Sequence, residues 1–370
     1  MTYGQAIRCG ITDGSLTHEQ GLTMMTSDKK TVCVTGASGF VGSQIVVDLL
    51  ERGYEVRATV RDPSKLEKYG FLKELPGADE GLTLHRGQLL EEGCFDEVME
   101  GCDYCIHTAS PYVLDVKDPQ ADLVEPAVKG TENVLGSAHQ AGVKRVIVTS
   151  SMAAVTDEPD PDKVLTEDDW NEKSSLKRNP YYFSKAEAER AAWRLAEERD
   201  GLDVVVINPY LVIGPSVTPS LNTSNEIFVD LMSGEYPGII SLTWGIVDVR
   251  DVSLAHLEAM ERDDAEGRFL CVAERMTMEE VVELLNKEGY DEAYSLPSFN
   301  LASPIGDFAT RIFSYFQPAG TGSYLRTHLG KVPSFDNAKS RDVLGLDYRP
   351  VEETILATVK DLEKWGHLEV

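Results

Sequence analysis

Residues 31–63 read TVCVTGASGFVGSQIVVDLLERGYEVRATVRDP. A short run of β-branched and apolar residues, 31–34, passes through a glycine-rich turn into an amphipathic stretch, 42–52, and then into a second run, 55–60. That order is a β-α-β unit. In the turn, Gly36, Gly39 and Gly42 recur at three-residue spacing with Ser38, Phe40 and Val41 between them. Glycines there permit the tight turn, let an anionic pyrophosphate approach backbone N–H groups at the start of a helix, and let that helix pack closely on the sheet. A glycine trio alone is a weak signal. Between a β-branched strand and a helix it points to a dinucleotide cradle.

Further strand candidates follow at 83–85, 104–107, 145–149, 203–207 and 268–272, separated by segments of helical length. The alternation predicts an α/β fold, a Rossmann-type doubly wound parallel sheet covered on both faces. Beyond about residue 210 the rhythm loosens, with helix candidates at 225–233, 278–287 and 351–364. This predicts a smaller C-terminal substrate-binding lobe built from two stretches, about 211–240 and 276–370. The nucleotide-binding domain then comprises 30–210 plus about 241–275. Residues 1–29 lack both a secretory and a transit pattern and read as a flexible N-terminal extension, with Met24 or Met25 as possible starts.

The charge balance narrows the partners. The chain has 62 acidic against 35 basic residues, a formal net charge of −27, which repels nucleic acid and anionic membrane surfaces. A small-molecule partner is expected instead, with the chain a monomer or homodimer. No run approaches the length of a membrane span. Six cysteines in 370 residues form no disulfide framework and suit free thiols in a reducing, cytoplasmic compartment. Cys102 and Cys105 form a C-x-x-C, but no second pair follows, and they enter an apolar segment where cysteine behaves as a small hydrophobe. The scattered histidines have no metal-site spacing, so no metal is expected.

The end of the second strand bears on which dinucleotide fits. An acidic residue there would hold ribose hydroxyls and repel a 2′-phosphate. This chain has Arg61, a bidentate donor fork suited to phosphate, with Lys65 or Lys68 as a second positive charge. NADPH/NADP is therefore the expected cofactor. Asp62, one residue on, leaves NAD as the alternative, and solvated strand-end charge is the bland reading.

A candidate proton-transfer site lies further along. One strand ends at Ser150 and Ser151, and about thirty residues later Tyr181 and Lys185 stand four apart, on one helical face. Tyrosine titrates near pH 10, so acid-base work at neutral pH needs a neighbouring cation. Lys185 supplies it, Ser151 can hydrogen-bond a substrate oxygen, and Tyr181 can donate a proton to the alkoxide forming there. Tyr69 and Lys73 share the spacing but follow the second strand directly, where a surface helix is the better explanation. Tyr182 is a rival donor without a lysine partner, since position 186 is alanine.

With these motifs in place, the chain resembles an extended short-chain dehydrogenase/reductase, of the branch holding dihydroflavonol reductases, cinnamoyl-CoA reductases and microbial aldehyde or ketone reductases. The opening stretch is joined, in the family's order, by GCDYCIHTASP at 101–111, VKRVIVTSS at 143–151, YYFSKAEAERAAW at 181–193, INPYLVIGP at 207–215, VDVRDVSLAH at 247–256 and LGLDYRPVEETI at 344–355. The resemblance implies NADPH binding, a variable substrate lobe and catalysis by Ser151, Tyr181 and Lys185. It implies that Ala109, Ser110 and Pro111 pass near the ribose and nicotinamide. It also implies cofactor contacts by Ser150 and by Gln88 and Leu89 near the adenine, and a wall running from Asn208 through Pro209 and Leu211 to Val212.

Departures are informative. Gln88 stands where the family commonly has an aspartate, and Thr156 where flavonoid reductases carry an asparagine. Of the cinnamoyl-CoA reductase motif Asn-Trp-Tyr-Cys-Tyr only Asn179 and Tyr181 remain. Neither plant substrate is indicated. The expected activity is reversible reduction of an aldehyde or ketone to its alcohol by NADPH. The alternatives are an epimerase or dehydratase of the same extended fold, and a dinucleotide-sensing protein without catalysis.

Overall fold

The computed structural model describes residues 29–110 and 116–368. The strands in chain order are β1 (Thr31–Thr35), β2 (Glu55–Val60), β3 (Leu82–Arg86), β4 (Tyr104–His107), β5 (Arg145–Thr149), β6 (Val204–Pro209), β7 (Leu211–Ile213), β8 (Thr243–Asp248), β9 (Gly267–Cys271) and β10 (Glu274–Thr277). Seven form one sheet in the order β3-β2-β1-β4-β5-β6-β9, every pairing parallel. This is a Rossmann-type sheet. Every residue of β1 and β6 is buried, as a parallel strand covered on both faces requires.

Alternation along each strand feeds two cores. Val32 and Val34 pack with Ile45, Val46 and Leu49 of the helix Phe40–Glu51 and with Val249, Val252 and Ala255 of the helix Val249–Glu261. Cys33, between them, faces the opposite core with Val134 and Leu135 of the helix Glu125–Gln140 and Ala192 and Leu195 of the helix Pro180–Glu198. Side chains one residue apart thus cover opposite faces of one layer. The chain winds outward from β1 in both directions, so β1 and β4 flank a switch point, and the crevice beyond their carboxyl ends is where ligands of such sheets bind.

Three strands form a second sheet, ordered β10-β8-β7, with β8 parallel to β7 and antiparallel to β10. Residues 243–248, expected to lie with the nucleotide-binding domain, therefore belong to the smaller sheet. The helix Ala338–Leu344, expected in the lobe, packs against β9 and the helix Val249–Glu261. Local pattern could not decide the first case, because β8 is buried throughout and a fully buried strand reads the same whichever sheet it joins.

The expected extension over 1–29 lies outside the described residues except for Lys29. Among the described residues no helix is long and apolar enough to cross a membrane, and no cluster of ligating side chains could hold a metal ion. Cys102 and Cys105 are buried free thiols. Cys105 stands in register with Cys33 on β1, and the Cys102 thiol donates to the Val98 carbonyl at 3.2 Å.

Candidate active site

The glycine turn leaves β1 at Gly36, whose φ is +69°. A Cβ there would lie 2.8 Å from both the Ala109 nitrogen and Thr108 Oγ1, so this glycine is required by conformation and by close approach of the chain leaving β4. A Cβ on Gly42 would collide with the Gly36 carbonyl oxygen. Gly39 caps the helix Phe40–Glu51 without offering a side-chain acceptor, so N–H groups of the first turn are left to an outside acceptor. Ser38, Phe40 and Val41 are half-buried along this turn.

Arg61 directly follows β2 and is exposed. Lys68 is also exposed, its ammonium 5.6 Å from the Tyr69 ring. The Asp62 carboxylate is turned into its own loop, accepting from the Ser64 nitrogen at 3.1 Å and the Ser64 hydroxyl at 2.6 Å, and these bonds hold it below the usual range. Past β3, the Gln88 N–H donates to Cys94 Sγ at 3.3 Å. The Leu89 carbonyl accepts from Asn133 at 2.7 Å. Past β4, the Ala109 N–H donates to Thr35 Oγ1 at 3.3 Å, and Ser110 shares a small cavity with Ser150 and Lys185. Pro111 lies outside the described residues. Pro209 closes β6 and is buried, while Leu211 and Val212 open β7, in register with Ile246 and Val247 of β8.

At the end of β5, Ser150 is tied to β6 by its N–H on the Ile207 carbonyl, at 2.8 Å. Ser151 is extended and caps a short turn, Met152–Ala154, by accepting the Ala153 N–H at 3.1 Å. Its hydroxyl hydrogen is left to donate elsewhere. Thr156, close by, is committed to the Glu158 carbonyl at 2.7 Å.

Tyr181 and Lys185 sit in the opening turns of the helix Pro180–Glu198. Pro180 suits the first helical position, and Asn179 before it adopts φ +49°, the one left-handed non-glycine residue among the described ones. Its amide holds that bend by donating to Asp157 Oδ1 at 2.9 Å and to Thr327 Oγ1 at 3.3 Å. The Lys185 ammonium lies 5.8 Å from the centre of the Tyr181 ring. Burial pulls that ammonium down to about 8. His107, at the end of β4, is pulled down to about 3 by burial and then by the charge of Lys185, so the imidazole is neutral. It is bonded through Nδ1 to Thr35 Oγ1 at 2.7 Å.

Three polar residues stand beside this cluster: Glu189 and Arg268, which the sequence did not single out, and Asn208, expected only as part of the cofactor wall. Glu189, one turn beyond Lys185, is buried and accepts from Ser150, Asn208, Arg268 and Trp193. A charged residue in a helix reads as surface; the small neighbours Ala186, Ala191 and Ala192, all buried, are the only sequence signal that this face packs inward. Asn208 and Arg268 reach it from β6 and β9, more than fifteen residues away in either case.

The glycine turn follows the carboxyl end of β1 and the serine pair that of β5, with the tyrosine-lysine helix packed against the short turn after the serines. Comparison with known proteins gives the family. The model of the NAD dependent epimerase/dehydratase family matches residues 32–272. Cinnamoyl-CoA reductase 1 of Petunia hybrida is 38% identical over 352 residues, 94% of this chain and 96% of that protein. Cinnamoyl-CoA reductase CAD2 of Medicago truncatula is 42% identical over 342 residues, 90% and 95% of the two chains. Among solved structures, the yeast methylglyoxal/isovaleraldehyde reductase Gre2 complexed with NADPH superposes with a TM-score of 0.75 at 32% identity, covering 91% of this chain and 100% of that one. Fold, motif order and relatives converge, and the chain belongs to the NAD dependent epimerase/dehydratase family.

Proposed function

We propose that this protein is an NADPH-dependent reductase that interconverts an aldehyde or ketone and the corresponding alcohol. The observation that carries the reading is the buried Lys185 ammonium held one helical turn from Tyr181, on the helix that flanks the serine-ended strand β5. The residues fit the cofactor. Gly36 and Gly42 hold the turn in a tight shape that a Cβ at either would break, and the uncapped first turn of the helix Phe40–Glu51 presents N–H groups to a pyrophosphate. Arg61 is free to meet a 2′-phosphate while Asp62 is occupied by Ser64, which favours NADPH over NADH.

When bound, NADPH supplies the hydride. Ser151 donates its hydroxyl hydrogen to the carbonyl oxygen and orients it. Tyr181 donates a proton to that oxygen as negative charge develops there, and Lys185 stabilises the resulting phenolate. His107, neutral and buried, adds no competing charge. The free thiols support a reducing, cytoplasmic setting. The relatives act, by their names, on cinnamoyl-CoA and on methylglyoxal and isovaleraldehyde, so acyl-CoA thioesters and small aldehydes both belong in the substrate panel.

NADPH oxidation measured by absorbance against small aldehydes, α-diketones, aromatic aldehydes, dihydroflavonols and acyl-CoA thioesters, with NADH in parallel, tests the reading. Turnover with NADPH preferred supports it. Tyr181→Phe is expected to lower kcat by about 10²- to 10⁴-fold while NADPH still binds; parent-level turnover by that variant would sink the assigned proton donor.

A further inference from the structure

Glu189 is 1% exposed and lies one turn past Lys185 in the helix Pro180–Glu198. Its two oxygens face different parts of the protein. Oε2 accepts from the Ser150 hydroxyl at 2.5 Å and from Asn208 Nδ2 at 2.7 Å, and Asn208 Nδ2 also donates to the Ser151 carbonyl at 3.2 Å. Oε1 accepts from Arg268 Nε at 2.5 Å and from Trp193 Nε1 at 3.2 Å. Arg268, itself 6% exposed, is anchored by donating to the Glu167 and Asp169 carbonyls at 2.8 Å and 2.5 Å and lies 4.1 Å from the Trp170 ring. One carboxylate thus ties the tyrosine-lysine helix, the serine-ended strand β5, β6 and β9 together immediately behind the reacting groups.

Burying such a pair is costly and is offset only when the geometry is good and the remaining lone pairs are used. An apolar core would join these elements with no such cost. What apolar packing cannot do is set the angle of one particular strand end, whereas a hydrogen bond is directional. We propose, on the reading of the site given above, that Glu189 is a positioning residue for the serine side of the reaction. Through Ser150 directly, and through Asn208 on the Ser151 carbonyl, it fixes the height and direction from which Ser151 meets the substrate oxygen opposite Tyr181. Arg268 balances its charge so that the carboxylate can serve there without pairing with Lys185, which stays available to the tyrosine.

The test compares the parent with Glu189→Gln, Ser150→Ala and Tyr181→Phe in NADPH binding stoichiometry, kcat, carbonyl KM and the primary isotope effect from 4-deuterated NADPH. Glu189→Gln is expected to bind NADPH at full stoichiometry, to keep KM, and to lose about tenfold or more in kcat with a larger isotope effect, because misaiming of the reacting groups slows the chemical step itself. Ser150→Ala leaves the Arg268 pair intact and is expected to show the same signature at smaller amplitude, so the inference survives a Glu189→Gln chain that fails to fold. A folded Glu189→Gln or Ser150→Ala variant with parent kcat overturns it. So does a loss of kcat that only tracks a loss of NADPH-binding chains with an unchanged isotope effect, the mark of a purely structural role. Parent turnover together with loss in Tyr181→Phe establishes the reductase reading separately; a parent that reduces no carbonyl overturns that reading and the role of Glu189 with it.

Discussion

Replacing each glycine of the turn by alanine separates its structural work from its binding work. At Gly36 an L-residue at φ +69° costs about 1–2 kcal/mol. The new Cβ would stand 2.8 Å from the Ala109 nitrogen and 2.8 Å from Thr108 Oγ1. Neither atom yields easily, since Thr108 donates to the Thr35 carbonyl at 2.7 Å and Ala109 to the Thr35 hydroxyl at 3.3 Å. Overpacking of that kind costs roughly 1–3 kcal/mol, so Gly36→Ala should lose about 2–5 kcal/mol of unfolding free energy. Gly42→Ala gains about 1 kcal/mol of helix propensity but drives a Cβ into the Gly36 carbonyl oxygen, for a net loss of about 0–2 kcal/mol. Gly39 has an ordinary φ of −80°, and its Cβ would meet only the Gly36 oxygen, at 3.2 Å. Gly39→Ala should therefore change stability by less than about 1 kcal/mol yet weaken NADPH binding by about tenfold, because this exposed glycine stands where a pyrophosphate must approach the backbone. Urea unfolding of the cofactor-free protein gives the first quantity and fluorescence titration with NADPH the second. A Gly36→Ala protein as stable as the parent, or a Gly39→Ala protein with parent affinity, would refute the assignment of these two jobs.

Lys185→Met should abolish turnover and at the same time stabilise the cofactor-free protein at pH 7. The displacement from 10.5 to about 8 by burial corresponds to at most about 3 kcal/mol of unfavourable charge burial. The folded state binds the proton less readily than the unfolded chain, so that penalty is fully present below pH 8 and is relieved as pH rises from 8 towards 10.5; denaturation of parent and variant across that window checks the sign. For the same reason kcat/KM of the parent should decline above about pH 8, as the free enzyme loses the ammonium beside Tyr181. Arg61→Ser should lower the preference for NADPH over NADH by about ten- to a hundredfold, the value of a charge-assisted phosphate contact, measured as the ratio of the two dissociation constants. An unchanged ratio would move 2′-phosphate recognition to another cation.

Much of the large sheet was legible in the chain. The runs at 55–60, 104–107 and 145–149 coincide with β2, β4 and β5, because each is short, rich in β-branched or apolar residues and set between segments of turn or helical character. The glycine turn was legible for a different reason: its φ of +69° is a demand that the local sequence must meet. The same is true of the helical spacing of Tyr181 and Lys185, which follows from 3.6 residues per turn and needs no tertiary information.

What lay beyond the sequence is whatever depends on partners distant along the chain. The three-stranded sheet escaped notice because β7 and β10 are short and β8 resembles any buried strand. Whether Asp62 competes for the ribose depended on the turn that commits it to Ser64. The burial that lowers Lys185, and the convergence of Glu189, Ser150, Asn208 and Arg268, are properties of helix, β5, β6 and β9 meeting in space. Periodicity and turn chemistry are local and survive in the one-dimensional string. Desolvation and hydrogen bonds between remote elements exist only once the chain has closed on itself, and those decide how the groups named by the sequence are charged and aimed.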